Sequence, residues 1–124
     1  MNSKTINPSQ NIRFDYFYRD AGNYKLFNSV VFSNKRGLSI EHIVKVVKIS
    51  FIDKGWFDPL ACGLPQLKFE KFDEELDSDW HELSKICFTD QAATMDIDIS
   101  DFLITALKVH HNECSGLNEY KFSL

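Results

Sequence analysis

Ile12, Phe14, Tyr16 and Tyr18 stand at alternate positions, with Arg13, Asp15, Phe17 and Arg19 between them. An extended backbone sends the two sets to opposite faces, so the spacing predicts a β-strand over 12–19. Such a face either covers a core or offers a stacking surface to a ligand. Asp20-Ala21-Gly22-Asn23 follows, then a second apolar run ending Val30-Val31-Phe32. A short polar connection holding a glycine predicts a hairpin to a strand over about 24–33.

The period then changes. Ile40, Ile43, Val44, Val47 and Phe51 keep helical spacing, while Glu41, His42, Lys45 and Lys48 take the other side. Ser39 is the expected N-cap, and Lys54-Gly55 the expected stop, giving a helix over about 40–53. The β-branched run 44–49 would also suit a strand, but the cap and the stop decide for helix. Asp58-Pro59 and Gly63-Leu64-Pro65 break regular structure across an apolar stretch that must pack onto something. Residues 67–72 alternate weakly and predict a short strand. Residues 80–88 predict a third substantial strand, with Trp80, Glu82, Ser84, Ile86 and Phe88 on one face and His81, Leu83, Lys85 and Cys87 on the other. Neither face is cleanly apolar. Asp98 or Ser100 is expected to cap a last helix running to about His111, bounded by Asn112 and Gly116.

These elements predict one α+β domain over 12–124, an antiparallel sheet of about four strands packed by two helices, behind a polar tail at 1–11. The expected core is Phe14, Tyr16, Val31, Ile43, Val44, Val47, Phe51, Ile86, Phe102, Leu103 and Ala106. At 124 residues the chain suits a single core without disulfides. Cys62, Cys87 and Cys114 leave one cysteine over in any internal pairing and show no CxxC spacing, which predicts reduced thiols and a cytoplasmic protein. No apolar run reaches the ~20 residues of a membrane span, and the first residues show no secretory signal.

The strings Phe14-Asp15-Tyr16-Phe17-Tyr18-Arg19-Asp20 with Asn23-Tyr24-Lys25, Gly63-Leu64-Pro65 and Asp79-Trp80-His81-Glu82 resemble a group of small uncharacterised bacterial proteins. The likeness spans about 14–103. It implies a compact bacterial cytosolic protein and carries no activity or residue role.

Net charge is −4, unevenly spread: residues 70–101 hold eleven acidic and two basic side chains. Acidic residues interleaved with aromatics predict a protein-binding surface at Asp73, Glu74, Glu75, Asp77, Asp79 and Trp80, of the kind an inhibitor, immunity or accessory protein presents to a basic partner. Two alternatives stand beside it. Tyr16 and Tyr18, with Arg19, could stack nucleotide or single-stranded nucleic-acid bases on a strand face, although the negative charge works against phosphate affinity. Asp77, Asp79 and His81 could ligate the metal of a hydrolase, since all three fall on one side of an extended segment. No second His/Cys cluster completes such a shell. No Walker A, GxGxxG, GxSxG or HExxH sequence occurs, and Cys62 with His42, His81, His110 or His111 forms no recognisable nucleophile–base pattern. A non-enzymatic chain without cofactor is the expectation.

Overall fold

The computed structural model describes residues 10–51, 55–73, 77 and 80–122, with side chains through His110. In chain order the elements are β1 (Asn11–Arg19), β2 (Lys25–Phe32), α1 (Ile40–Ser50), β3 (Trp56–Phe57), α2 (Pro59–Cys62), β4 (His81–Thr89) and α3 (Ile99–Phe122). The strands form one antiparallel sheet in the order β2-β1-β4-β3. The fold is α+β, with a third, one-turn helix beside the two expected.

Ile12, Phe14, Tyr16 and Tyr18 all point into the core, as the alternation requires. Phe14 lies at its centre, its ring against those of Phe32, Phe51, Phe57 and Phe102 at centroid distances of 5.4–6.4 Å. Ser39 caps α1, its hydroxyl accepting from the His42 backbone N–H, and Ile43 and Val47 are the buried stripe. The helix stops at Ser50 rather than at 53, because Phe51 adopts an extended backbone that turns its ring inward. Of the expected core residues only Val44 remains half-buried, packed against the cluster.

Asp98 caps α3. Its carboxylate accepts from the N–H and hydroxyl of Ser100, and also from the Ser33 hydroxyl and the Lys35 N–H, so one side chain ties the end of β2 to the start of α3. α3 continues past Asn112 and Gly116 to Phe122. No proline follows Pro65, and a lone interior glycine costs a helix only about 1 kcal/mol. The tail expected at 1–11 gives way to β1 at Asn11, and residues 1–9 lie outside the described residues.

Two strand assignments change. The fourth strand is Trp56–Phe57, too short to show a period, while 67–72 is a strap without strand structure. Phe69 and Phe72 of that strap lie against Tyr18, and the Leu67 N–H donates to His81 Nε2 at 2.9 Å. In β4 the pairing with β1 slips between Asp15 and Tyr16, so Ser84 is bulged out. The bulge shifts the alternation by one, and His81 and Ile86, five residues apart, both face the core. A strand read without that shift has no clean apolar side.

Candidate functional site

The helices pack on one face of the sheet, which leaves the Arg13–Phe17–Arg19 face of β1 open among the described residues. The strand register fixes its layout. Trp56 pairs with Glu82, Glu82 with Phe17, and Phe17 with Phe27, making one row across all four strands. Phe27 is 69% exposed and Trp56 41%. The Phe17 and Phe27 rings meet at 5.4 Å between centroids. The Arg19 guanidinium and the Lys25 ammonium lie 5.5 and 5.8 Å from the Phe17 centroid, distances at which a cation is drawn to a ring face.

Ion pairs run beside this row. Arg19 Nε donates to Glu82 at 2.9 Å, and Arg13 Nε to Asp15 at 2.8 Å. The Asp15 hydrogen bond and charge push the Arg13 guanidinium further up. Lys85 stands opposite Asp15, and Ser29 Oγ donates to Asp15 from the other side. Four cations, Arg13, Arg19, Lys25 and Lys85, face two carboxylates, Asp15 and Glu82, a balance of +2 on a chain of −4. Aromatic rings and arginine are residue types enriched at protein interfaces.

Of the residues singled out in the sequence, Arg19 lies on this face. Tyr16 and Tyr18 are buried in the core, so they offer no stacking face; Arg19 projects on the opposite side of the strand. The Tyr16 hydroxyl donates to the Pro65 carbonyl and accepts from Asn28 Nδ2. Burial pushes its phenol up, partly offset by Asn28. His81 lies in the core 5.1 Å from the Tyr18 ring, with Nε2 accepting from Leu67. An accepting nitrogen carries no proton, and this one is committed to holding the strap. The Asp77 carboxylate accepts from the backbone N–H groups of Asp73 and Ala21, which hold it below the usual carboxylate range and tie the acidic loop to the β1–β2 turn. His81 and Asp77, two of the three residues of the alternative metal site, therefore hold structural hydrogen bonds, and no cluster of three potential ligands exists among the described residues. Glu74, Glu75 and Asp79 lie outside the described residues. Asp73 is exposed, and Trp80 is half-buried, lining a crevice of about 10 Å³ with Phe51, Phe57, Ala106 and Val109.

Cys62 is buried in the core cluster, which removes it as an accessible nucleophile. A groove of about 310 Å³ runs between α1 and α3, floored by Val46, Leu103, Ile104 and Leu107. Its rim mixes Arg36, His42, Ser100 and Asp101, and the Ser100 hydroxyl donates to Asp98. The open-face row escaped notice in the sequence because Phe17 and Phe27 occupy the polar phase of their strands and Trp56 sits in an apparent loop. An aromatic out of phase on each of two hairpin strands was the available signal.

No family model, curated protein or solved structure matches this chain. No helix among the described residues is long and apolar enough to cross a membrane.

Proposed function

We propose that this chain is a non-enzymatic protein-binding module of the inhibitor or accessory kind, and that it engages its partner through the open sheet face. The open-face row of exposed Trp56 and Phe27 with half-buried Phe17 between them carries the reading. Tryptophan, aromatic rings and arginine dominate binding energy where they are desolvated by a partner, and here they share one rigid surface. A face of +2 suits a partner with an acidic rim around an apolar depression. The acidic loop, tied back to the hairpin turn through Asp77, then acts as scaffold rather than anchor.

The test places a photo-reactive residue at Phe27 and, separately, at Asp73, and identifies proteins cross-linked in extracts of the native host. A partner purified from the Phe27 adduct should bind the wild-type chain, and Trp56→Ser should weaken it at least tenfold, about 1.4 kcal/mol, without unfolding the protein. Cross-linking at Asp73 alone would return the contact surface to the acidic loop.

The same face supports a second reading, since Phe17 and Phe27 with Arg19 and Lys25 are also what single-stranded nucleic acid stacks upon. Binding of a single-stranded oligonucleotide that falls steeply with salt and is lost in Phe17→Ala would favour it.

A further inference from the structure

The edge of the sheet at β2 is divided. The Val31 N–H donates to Thr94 Oγ1, and the Val31 carbonyl accepts from the N–H groups of Thr94 and Met95. The Ser33 carbonyl accepts from Ile99 in the same direction. The backbone groups of Val31 therefore point away from β1, which makes Arg13↔Val31 a pair without mutual hydrogen bonds. The pairing alternates along an antiparallel ladder, so Ser29, Phe27 and Lys25 also point their N–H and C=O groups outward. Among the described residues no hydrogen bond reaches these groups. Residues 94–98 cap the far end of the edge, and among the described residues nothing covers Lys25 to Ser29.

We infer that the uncovered edge of β2 is the site where a second copy of this chain pairs, antiparallel, about a twofold axis through Phe27. Three observations select that occupant and that register. Phe27 is the middle one of the three outward-facing residues, so the axis there uses the whole open segment: Phe27 exchanges hydrogen bonds with its counterpart, and each Lys25 with the second copy's Ser29. The capped Val31 blocks a register centred on Ser29, which would need its backbone groups. A register centred on Lys25 would place two ammonium groups together on the axis, whereas the Phe27 register brings Lys25 beside the second copy's Ser29, whose hydroxyl donates to Asp15. Charge and hydrogen bonding are thus self-complementary, as a twofold interface requires.

The consequence reaches the open face. A twofold axis perpendicular to the sheet keeps both open faces on the same side and joins the strands into one eight-stranded sheet. The row then runs Trp56–Glu82–Phe17–Phe27 and back through the second copy in reverse order. Exposed edge strands are templates for further pairing and proteins manage them explicitly; here self-association would close the one that 94–98 leaves open. The inference does not depend on the protein-binding reading, since a monomer that binds its partner would overturn only the dimer.

Sedimentation equilibrium over roughly 1–200 μM should show the wild-type chain, 14.4 kDa, moving to twice its mass, because short edge interfaces are concentration-dependent. Phe27→Lys, an exposed substitution, should stay monomeric throughout with an unchanged circular dichroism spectrum. Cysteine scanning reads the register. Phe27→Cys should form a disulfide-linked dimer on mild oxidation, Ser29→Cys alone should not, and a mixture of Lys25→Cys with Ser29→Cys should. Paired residues on adjacent strands bring Cα atoms to about 5.5 Å, within disulfide reach. A wild-type monomer at 200 μM, or a dimer that survives Phe27→Lys and cross-links equally at all three positions, would overturn the inference.

Discussion

Asp98 shows how much one side chain can organise. It is buried, and burial alone would raise its pKa, yet hydrogen bonds from Lys35, Ser100 and Ser33 outweigh that cost and hold it below the ordinary carboxylate value. A residue depressed on folding contributes stability that is complete above the unfolded pKa, near 3.9, and is lost as pH falls through the lower folded value. Asp98→Ala removes a helix cap and two links to β2 together, and it should cost about 2–4 kcal/mol at pH 7 in urea denaturation. Asp98→Asn should be destabilised at pH 7 by less, and its deficit against wild type should narrow as the pH drops below about 4. A deficit constant down to pH 2 would mean that the charge itself contributes nothing. His81 makes the complementary point: a histidine beside acidic residues suggests a ligand, but its position after the bulge turns it into a core residue that accepts the strap's N–H.

At the scale of elements, the Ser84 bulge decides which side of β4 meets the core. Deleting Ser84 leaves His81 and Ile86 four positions apart, so plain alternation keeps both in the core, and the deletion should cost under about 1.5 kcal/mol in urea denaturation. Ser84→Ala keeps the residue count and should be nearly neutral, within about 0.5 kcal/mol, because Ser84 is exposed. A loss above about 3 kcal/mol on the deletion would show that the β1–β4 pairing needs the bulge itself, with its local twist. The same bulge explains how far the sequence could be read. β1 and α1 were legible because a strict period of two and a capped helical stripe each leave a pattern that no nearby feature disturbs. β4 was legible as a strand but not in its faces, since one extra residue inverts every later position. β3 was illegible, because two residues have no period and Trp56–Phe57 gains its strand conformation only from pairing with β4. The strap at 67–72 mimicked a strand for a related reason: Leu67 and Phe69 alternate inward because they pack on the core residues His81 and Tyr18, with no ladder partner. The acidic stretch drew attention by its charge density, whereas the open-face row consists of single aromatics scattered over three segments that only the fold brings together.

For the whole molecule, the separation of charge from shape sets a test that neither residue nor element can supply. The chain is acidic overall, yet its open sheet face is basic, so a partner approaching that face meets a field opposite in sign to the one set by the net charge. Lys85→Glu takes the face from +2 to 0 and the chain from −4 to −6. Lys45→Glu on the exposed side of α1 changes the chain by the same amount and leaves the face untouched. Steering acts on association through the local field within a Debye length of about 10 Å at 0.1 M salt, while dissociation follows the desolvated contacts. With the partner identified through Phe27, Lys85→Glu should therefore slow association several-fold at low salt, an effect that fades toward 0.5 M, and leave the dissociation rate nearly unchanged. Lys45→Glu should alter neither rate by as much as twofold. Faster association for Lys85→Glu would mean a basic partner drawn to the acidic loop, and equal effects of the two substitutions would mean that net charge, rather than this face, governs the encounter.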